Sequence, residues 1–192
     1  MKKCLSFLIL FFIIFLLAAC SKNVSLELAD MNVKIVKDKK LLGSTVITEG
    51  ERKGEELIPT ALYYEFTIKN TGNNILGTAE ANKGIELKIE PKDQLKSASK
   101  DIMGFNIYIP EEYDASGLGF GETHTSIPSS DQEVKGTLYY KLGVSEDVPD
   151  VALHVPPKEK VDELKGYALD AYLIITKENK EIARFDLDKF KK

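Results

Sequence analysis

Alternating apolar and polar side chains are the feature that most constrains the fold of this chain. In the segment 61–69 (ALYYEFTIK) every second side chain, from Leu62 onward, is apolar. Successive side chains of a β-strand point to opposite faces, so this segment predicts a strand with one buried and one solvated face. The alternation recurs around residues 85–90, 105–109 and 134–142. One-sided burial is typical of antiparallel sheets, because strands of parallel sheets are usually buried on both faces.

About eight strands are predicted, separated by turns rich in Gly, Pro and Asn. The predicted strands cover residues 33–37, 44–48, 61–70, 85–90, 105–109, 134–142, 167–176 and 181–187. The segment 157–165 is the best helix candidate, since Pro157 suits a first turn and Gly166 can end the helix. Two packed sheets bury such strands with few exposed edges. The sequence therefore predicts a mainly β fold, a two-sheet antiparallel β-sandwich with at most one or two short helices.

The first twenty residues have the organisation of a secretory signal. A basic start, MKK, precedes an apolar run over residues 7–19. This run is shorter than the roughly 20 apolar residues of a membrane-spanning helix, and it fits the about 7 to 15 apolar residues of a cleavable signal. Its end, LAAC at residues 17–20, resembles the lipobox of bacterial lipoprotein precursors.

The lipobox resemblance implies a lipid modification of Cys20. It implies removal of a signal peptide over 1–19, diacylglycerol with acyl chains such as palmitate on the Cys20 thiol, a short tether within 20–30 and a β-sandwich domain over 31–192. Two acyl chains give stable membrane attachment, so we expect the domain on the extracytoplasmic face of the cell membrane. The alternatives are an ordinary secretory signal that leaves Cys20 as a free thiol, and an uncleaved anchor.

Charge and cysteine content exclude several function classes. The formal net charge is −4, from 26 basic and 30 acidic residues, and loss of Lys2 and Lys3 with the signal would make it more negative. An acidic chain has no electrostatic reason to bind nucleic acid, and anionic lipid head groups would repel it mildly. We therefore expect no nucleic-acid partner and membrane attachment through lipid alone. Because Cys4 lies in the signal, the mature chain would have no internal disulfide.

The strand order suggests a family resemblance beyond the signal. A long strand, the IKNTG turn at 68–72 and later aromatic strands resemble the immunoglobulin-like domains of small uncharacterised lipoproteins of Gram-positive bacteria. The resemblance implies a fold and carries no function with it. The tripeptide Leu-Tyr-Tyr occurs at both 62–64 and 138–140, but its flanks differ, so no internal duplication is predicted.

The segment 111–124 is the best candidate for metal or hydrolytic chemistry. Its possible ligands are Glu111, Glu112, Asp114, Glu122 and His124. Zinc sites need three or four nitrogen or sulfur donors, and the chain has two histidines. The spacing of an EF-hand calcium loop is absent, although other oxygen-ligand sites for calcium remain open. We predict no metal, no cofactor and no catalytic residue.

Three tyrosines form the best candidate for an interaction surface. Alternation places Tyr63, Tyr108 and Tyr139 on the polar sides of their predicted strands, and tyrosine is enriched in protein interfaces. The alternative is cross-strand packing on an open sheet. The sequence thus favours a lipid-anchored, non-enzymatic interaction module with an envelope protein or peptide as partner. The alternatives are a metal-dependent envelope hydrolase using residues 111–124, or a protease-inhibitor-like module that offers a loop or a sheet edge.

Overall fold

Strands dominate the architecture. The computed structural model describes residues 25–72, 85–116, 118, 120–123, 132–144 and 154–191. Strand accounts for 47% and helix for 26%, so the predicted mainly β class is confirmed. The strands are β1 (Leu26–Val36), β2 (Thr45–Val46), β3 (Glu56–Leu57), β4 (Pro59–Asn70), β5 (Ile85–Pro91), β6 (Phe120–Thr123), β7 (Glu133–Val144), β8 (Ala171–Lys177) and β9 (Lys180–Asp186). The helices are α1 (Lys39–Leu42), α2 (Asp93–Met103), α3 (Pro110–Ala115), α4 (Lys158–Tyr167) and a 3-10 helix (Leu187–Phe190).

The strands form three antiparallel sheets within the described part of the chain, where two were predicted. The first sheet has the order β1-β4-β7-β6, the second β5-β8-β9, and the third is the β2-β3 pair. The strands predicted at 167–176 and 181–187 are found as β8 and β9, which pair as a hairpin. Its turn residues Glu178 and Asn179 both have positive φ, as a two-residue hairpin turn that matches strand twist requires.

Residues of the two larger sheets belong to one hydrophobic core, and helices α2 and α4 contribute residues to the same core. Its main strand and helix members are Leu62, Tyr64, Phe66, Leu138, Tyr140, Ile89, Leu173, Ile175, Leu95, Ala98, Val161 and Leu164. The central strands β4 and β8 supply fully buried residues, among them Leu62, Tyr64 and Leu173.

The prediction of at most one or two short helices is wrong, because the described residues contain four α-helices and a 3-10 helix. The predicted helix 157–165 exists as α4, but it continues past Gly166 to Tyr167. Helix α2 was not predicted. It buries Leu95, Ala98 and Ser99 on one face, a spacing that is typical of an amphipathic helix.

A carboxylate from a distant part of the chain caps helix α2. Asp170 Oδ2 accepts hydrogen bonds from the backbone N–H groups of Gln94 (3.1 Å) and Leu95 (3.3 Å). Lys92, at the N-cap, pairs with Asp186 (2.6 Å) and with Asp188. These contacts fasten the start of α2 to the C-terminal hairpin and the 3-10 helix.

The strand predicted at 105–109 is wrong, because this segment is a turn between α2 and α3. Side chains bind its backbone N–H groups in place of a neighbouring strand. Ser99 Oγ accepts from Ile107 N (3.0 Å), and Asn106 Oδ1 accepts from Tyr108 N (3.0 Å). Because local side chains satisfy these donors, the segment has no need of a sheet partner.

The N-terminal boundary of the folded domain lies earlier than predicted. Strand β1 begins at Leu26 and pairs along its length with β4, so residues 26–30 are part of the sheet and not of a tether. Residues 1–24, which include the predicted signal and Cys20, lie outside the described residues. No helix in the described part of the chain is long and apolar enough to cross a membrane.

Candidate functional site

A row of four residues, one from each strand, crosses the first sheet on the face turned away from the main core. Lys34 of β1 is the register partner of Tyr63 in β4, Tyr63 is the partner of Tyr139 in β7, and Tyr139 is the partner of Gly121 in β6. We call these four residues the tyrosine row. Leu62 and Tyr64, the neighbours of Tyr63 along β4, point into the core. Alternation therefore places the tyrosine row and the core on opposite faces of the sheet.

Ring contacts hold the tyrosine row together. The rings of Tyr63 and Tyr139 are stacked, with centroids 5.9 Å apart and planes 3° apart. Lys34 Nζ lies 5.3 Å from the Tyr63 ring centroid, within the range of a cation–π contact. The far end of the Tyr139 ring lies over Gly121, where a Cβ atom would overlap it. The absence of a side chain at Gly121 therefore lets the ring lie flat against the edge strand.

The two rings differ in exposure. Tyr63 is 6% exposed, because it packs with Val36, Leu42 and Ala61 in a small cluster under helix α1. Tyr139 packs against this cluster and is only half-buried. Tyr139 is consequently the ring that a partner can touch, while Tyr63 supports it from the side.

A polar row lies beside the tyrosine row. Asn32, Glu65 and Thr137 are register partners on β1, β4 and β7. Glu65 accepts a hydrogen bond from Lys34 Nζ at 2.7 Å, and both side chains are 40% exposed. This hydrogen bond lowers the pKa of the Glu65 carboxyl, so that carboxyl is ionised at neutral pH. The accessible face thus combines one aromatic ring with a charged pair and an amide.

The prediction that Tyr108 belongs to the same surface is wrong. Tyr108 is 5% exposed, and its hydroxyl lies 2.7 Å from that of Tyr64 in the core. Tyr64 can donate to the carbonyl of Ala168 (3.3 Å) while it accepts from Tyr108, which satisfies both hydroxyls. The turn at 105–109 causes this placement, because it removes the strand alternation on which the prediction depended.

Four tyrosines form a buried cluster on the inner face of the first sheet: Tyr64, Tyr108, Tyr113 and Tyr140. The Tyr140 ring meets Tyr108 and Tyr113 edge-on, with centroids 4.8 Å and 5.8 Å apart. Tyr113 donates a hydrogen bond to the carbonyl of Lys141 at 2.9 Å. Burial raises the pKa of Tyr64, Tyr108 and Tyr113 well above the ordinary tyrosine value. The cluster is a structural feature, since the hydroxyls of Tyr64, Tyr108 and Tyr113 make hydrogen bonds inside the protein.

The segment 111–124 is not a single loop. Residues 110–115 form α3 and 120–123 form β6, and His124 lies outside the described residues. Glu112 Oε2 accepts a hydrogen bond from Asn106 N at 2.7 Å, so this carboxylate supports the turn before α3. Among the residues that the structure describes, no group of three or more His, Cys, Asp or Glu side chains is placed to hold a metal ion.

Sequence reasoning identified two of the four members of the tyrosine row and missed Lys34 and Gly121. Glu65 could have been found, because it falls two residues after Tyr63 on the same side of the strand. Lys34 and Gly121 required the register between strands, which alternation within one strand does not contain. No protein-family model, no curated protein and no solved structure matches the chain.

Proposed function

We propose that the protein is a lipid-anchored, non-enzymatic interaction module on the extracytoplasmic face of the cell membrane. The LAAC sequence at 17–20 supports the anchor, which would consist of diacylglycerol on Cys20. Five residues, 21–25, lie between Cys20 and Leu26, the first residue of β1. An extended chain of that length spans at most roughly 20 Å, so the start of the first sheet would lie close to the bilayer surface.

The tyrosine row is the observation that supports partner binding. It places the half-buried Tyr139 ring beside the ion pair of Lys34 and Glu65 on a sheet face that lies outside the main core. Aromatic and hydrogen-bonding groups on a preformed, rigid surface are typical of protein interfaces, because little conformational entropy is lost on binding. We propose an envelope protein or an extended peptide as the partner, with Tyr139 at the centre of the contact.

The anchor is tested by intact-mass analysis of the protein isolated from membranes of a bacterium that produces it. We expect a polypeptide that begins at Cys20 and carries diacylglycerol. A Cys20→Ala variant should keep its N-terminal signal and lack the lipid. A chain that begins at Met1, or an unmodified Cys20 thiol, would contradict the anchor.

The partner surface is tested by photo-crosslinking in intact cells. A benzophenone amino acid replaces Tyr139 in one variant and Tyr172 in a matched control. Tyr172 is also half-buried, but it lies in β8 of the second sheet, between Lys92 and Arg184. We expect a discrete crosslinked species from position 139 and none from position 172. The same products from both positions, or no product from 139, would contradict the assignment of this face.

A further inference from the structure

Strand β1 forms one edge of the first sheet. It pairs with β4 on one side, and no strand in the described part of the chain pairs with its other side. The opposite edge strand, β6, has four residues, whereas β1 has eleven. The backbone N–H and C=O groups along an edge strand can pair with a further strand. Strand β1 is therefore the edge at which this sheet can be extended.

The side chains of β1 are divided between the two faces of the sheet. Met31 and Val33 contribute to the main core. Asp30, Asn32 and Lys34 lie on the outer face, as their register with β4 shows. Asp30 and Asn32 are exposed, and the Lys34 side chain is 40% exposed. The outer face of this edge thus has a negative, a neutral and a positive side chain at equal spacing.

This order of charges suits antiparallel pairing of β1 with β1 of a second copy. If a two-fold axis passes through Asn32, Asp30 of each copy lies directly opposite Lys34 of the other. Side chains directly opposite each other have Cβ atoms about 4.5 to 5.5 Å apart, and opposite charges there stabilise the pair. An axis at Asp30 or Lys34 places like charges opposite each other. An axis at Met31 or Val33 places both charges opposite uncharged residues.

Both charged side chains can make this additional contact. The Lys34 ammonium group already donates to Glu65 at 2.7 Å, and an ammonium has three N–H donors. Asp30 has no ion-pair partner among the residues that the structure describes. A bulge between Leu28 and Asp30 ends the regular part of the strand on one side, and residues 30–36 pair with β4 without a break. A regular segment is therefore available on both sides of Asn32.

We propose that the protein forms a two-fold symmetric dimer in which the β1 strands of two copies pair antiparallel, with the axis at Asn32. Residues 30–34 of the two copies form about four to six main-chain hydrogen bonds, and an Asp30–Lys34 pair lies on each side of the axis. Both copies use the same surface, as in most closed dimers. The dimer joins two four-stranded sheets into one continuous sheet, with both tyrosine rows on its outer face.

Cysteine crosslinking in intact cells of a bacterium that produces the full chain tests this dimer. Asn32→Cys places two thiols across the axis, with Cβ atoms about 5 Å apart, within reach of a short, membrane-permeant bismaleimide. Glu27→Cys is the matched control, because Glu27 is also exposed on β1 but its two copies would lie roughly 30 Å apart. The wild-type chain reports any reaction of Cys4 and Cys20. We expect a product of twice the chain mass from Asn32→Cys, and roughly tenfold less from both controls because the reagent cannot span the larger distance.

Charge substitutions in the Asn32→Cys background test the register. Asp30→Lys places two ammonium groups opposite each other, and Lys34→Glu places two carboxylates opposite each other. Each should reduce the crosslinked product several-fold, because like charges directly opposite each other are destabilising. Two differently tagged chains, one with each substitution, are complementary at both pairs. Their mixed product should return to the level of the unsubstituted pair, which a merely misfolded variant would not allow.

This inference goes beyond the proposed partner surface and does not rest on it. Tyr139→Ala should leave the Asn32→Cys product unchanged, so the two proposals can fail separately. The dimer is overturned if Asn32→Cys gives no product of twice the chain mass, or captures a different protein in place of a second copy. It is also overturned if Glu27→Cys gives as much product, or if the mixed chains give no more than each variant alone.

Discussion

The two faces of the first sheet use tyrosine for different purposes. Tyr64 and Tyr140 point inward, where they are buried among other aromatic rings and Tyr64 makes hydrogen bonds inside the protein. Tyr63 and Tyr139, their immediate neighbours in the chain, point outward and stack on each other. The same residue type thus stabilises the core on one face and forms an accessible aromatic group on the other.

Antiparallel pairing places the two Leu-Tyr-Tyr tripeptides of the sequence directly opposite each other. The two tripeptides are register partners centred on Tyr63 and Tyr139, with Leu62 opposite Tyr140 and Tyr64 opposite Leu138. Each inward tyrosine therefore lies across from a leucine, and the two outward tyrosines lie across from each other. The recurrence reflects matched packing on two strands and requires no duplication.

The largest contrast between the faces is expected from removal of a ring. Tyr64→Ala should lower the free energy of unfolding by about 3 to 5 kcal/mol, because it leaves a cavity in the core and an unpaired Tyr108 hydroxyl. Tyr139→Ala should cost about 1 kcal/mol or less, since the ring is half-exposed. Urea unfolding followed by circular dichroism measures both values. Equal losses in the two variants would contradict the division between faces.

Two glycines show how much room each face of the first sheet leaves for an added Cβ atom. A Cβ at Gly136 would overlap the buried Phe66 ring, and one at Gly121 would overlap the half-buried Tyr139 ring. Gly136→Ala should cost about 1 to 3 kcal/mol, because the core cannot make room without strain. Gly121→Ala should cost less, since Tyr139 can turn toward solvent, and chemical denaturation distinguishes the two. A larger loss for Gly121→Ala would show that the outer ring is the more rigid one.

Alkaline unfolding tests the burial of Tyr64 on the inner face. The pKa of Tyr64 is raised in the folded protein by burial, so its stabilising contribution is complete below the ordinary value of about 10 and is lost as the pH rises above it. Tyr64→Phe should reduce the fall in unfolding free energy by up to about 1.4 kcal/mol per pH unit above pH 10. Denaturation series at several alkaline pH values measure this slope. An unchanged slope would mean that Tyr64 ionises in the folded state.

The smallest effect is expected from the charged pair beside the tyrosine row. Lys34→Met removes the partner of Glu65, and both side chains are 40% exposed. Exposed pairs contribute about 0.2 to 1 kcal/mol, so the loss of stability should fall in the lower part of that range and shrink in high salt. Thermal melting at low and high ionic strength checks this. If this face binds a partner, the variant should still reduce crosslinking from position 139.

Strand alternation predicted the two central strands of the first sheet and strand β5 of the second sheet. The segments around 61–70 and 134–142 form the adjacent long strands β4 and β7, and 85–90 forms β5. These predictions succeeded because one face of each strand is buried, so the pattern of apolar residues reports the fold directly. The outward positions of Tyr63 and Tyr139 followed from the same pattern, but their contact required the pairing of two strands that are distant in sequence.

Two predictions failed, for helix α2 and for the segment 105–109. In the first a residue distant in sequence caps the helix, and in the second side-chain hydrogen bonds to the backbone take the place of strand pairing. Helix α2 has no capping side chain at its own N-cap and takes its cap from Asp170, so the N-cap residue did not signal its start. The segment 105–109 has strand-like alternation, yet Ser99 and Asn106 bind its backbone. Tyr108 was misplaced for that reason, and its burial could not be derived from alternation alone.

Tyrosine nitration of the folded protein, followed by peptide mass spectrometry, tests the division between the two faces most directly. We predict that Tyr139 is modified, with the 38% exposed Tyr167 as an internal reference, while Tyr64, Tyr108 and Tyr113 are protected until the protein unfolds. Modification of Tyr108 as fast as Tyr139, or protection of Tyr139 in the folded protein, would contradict the account.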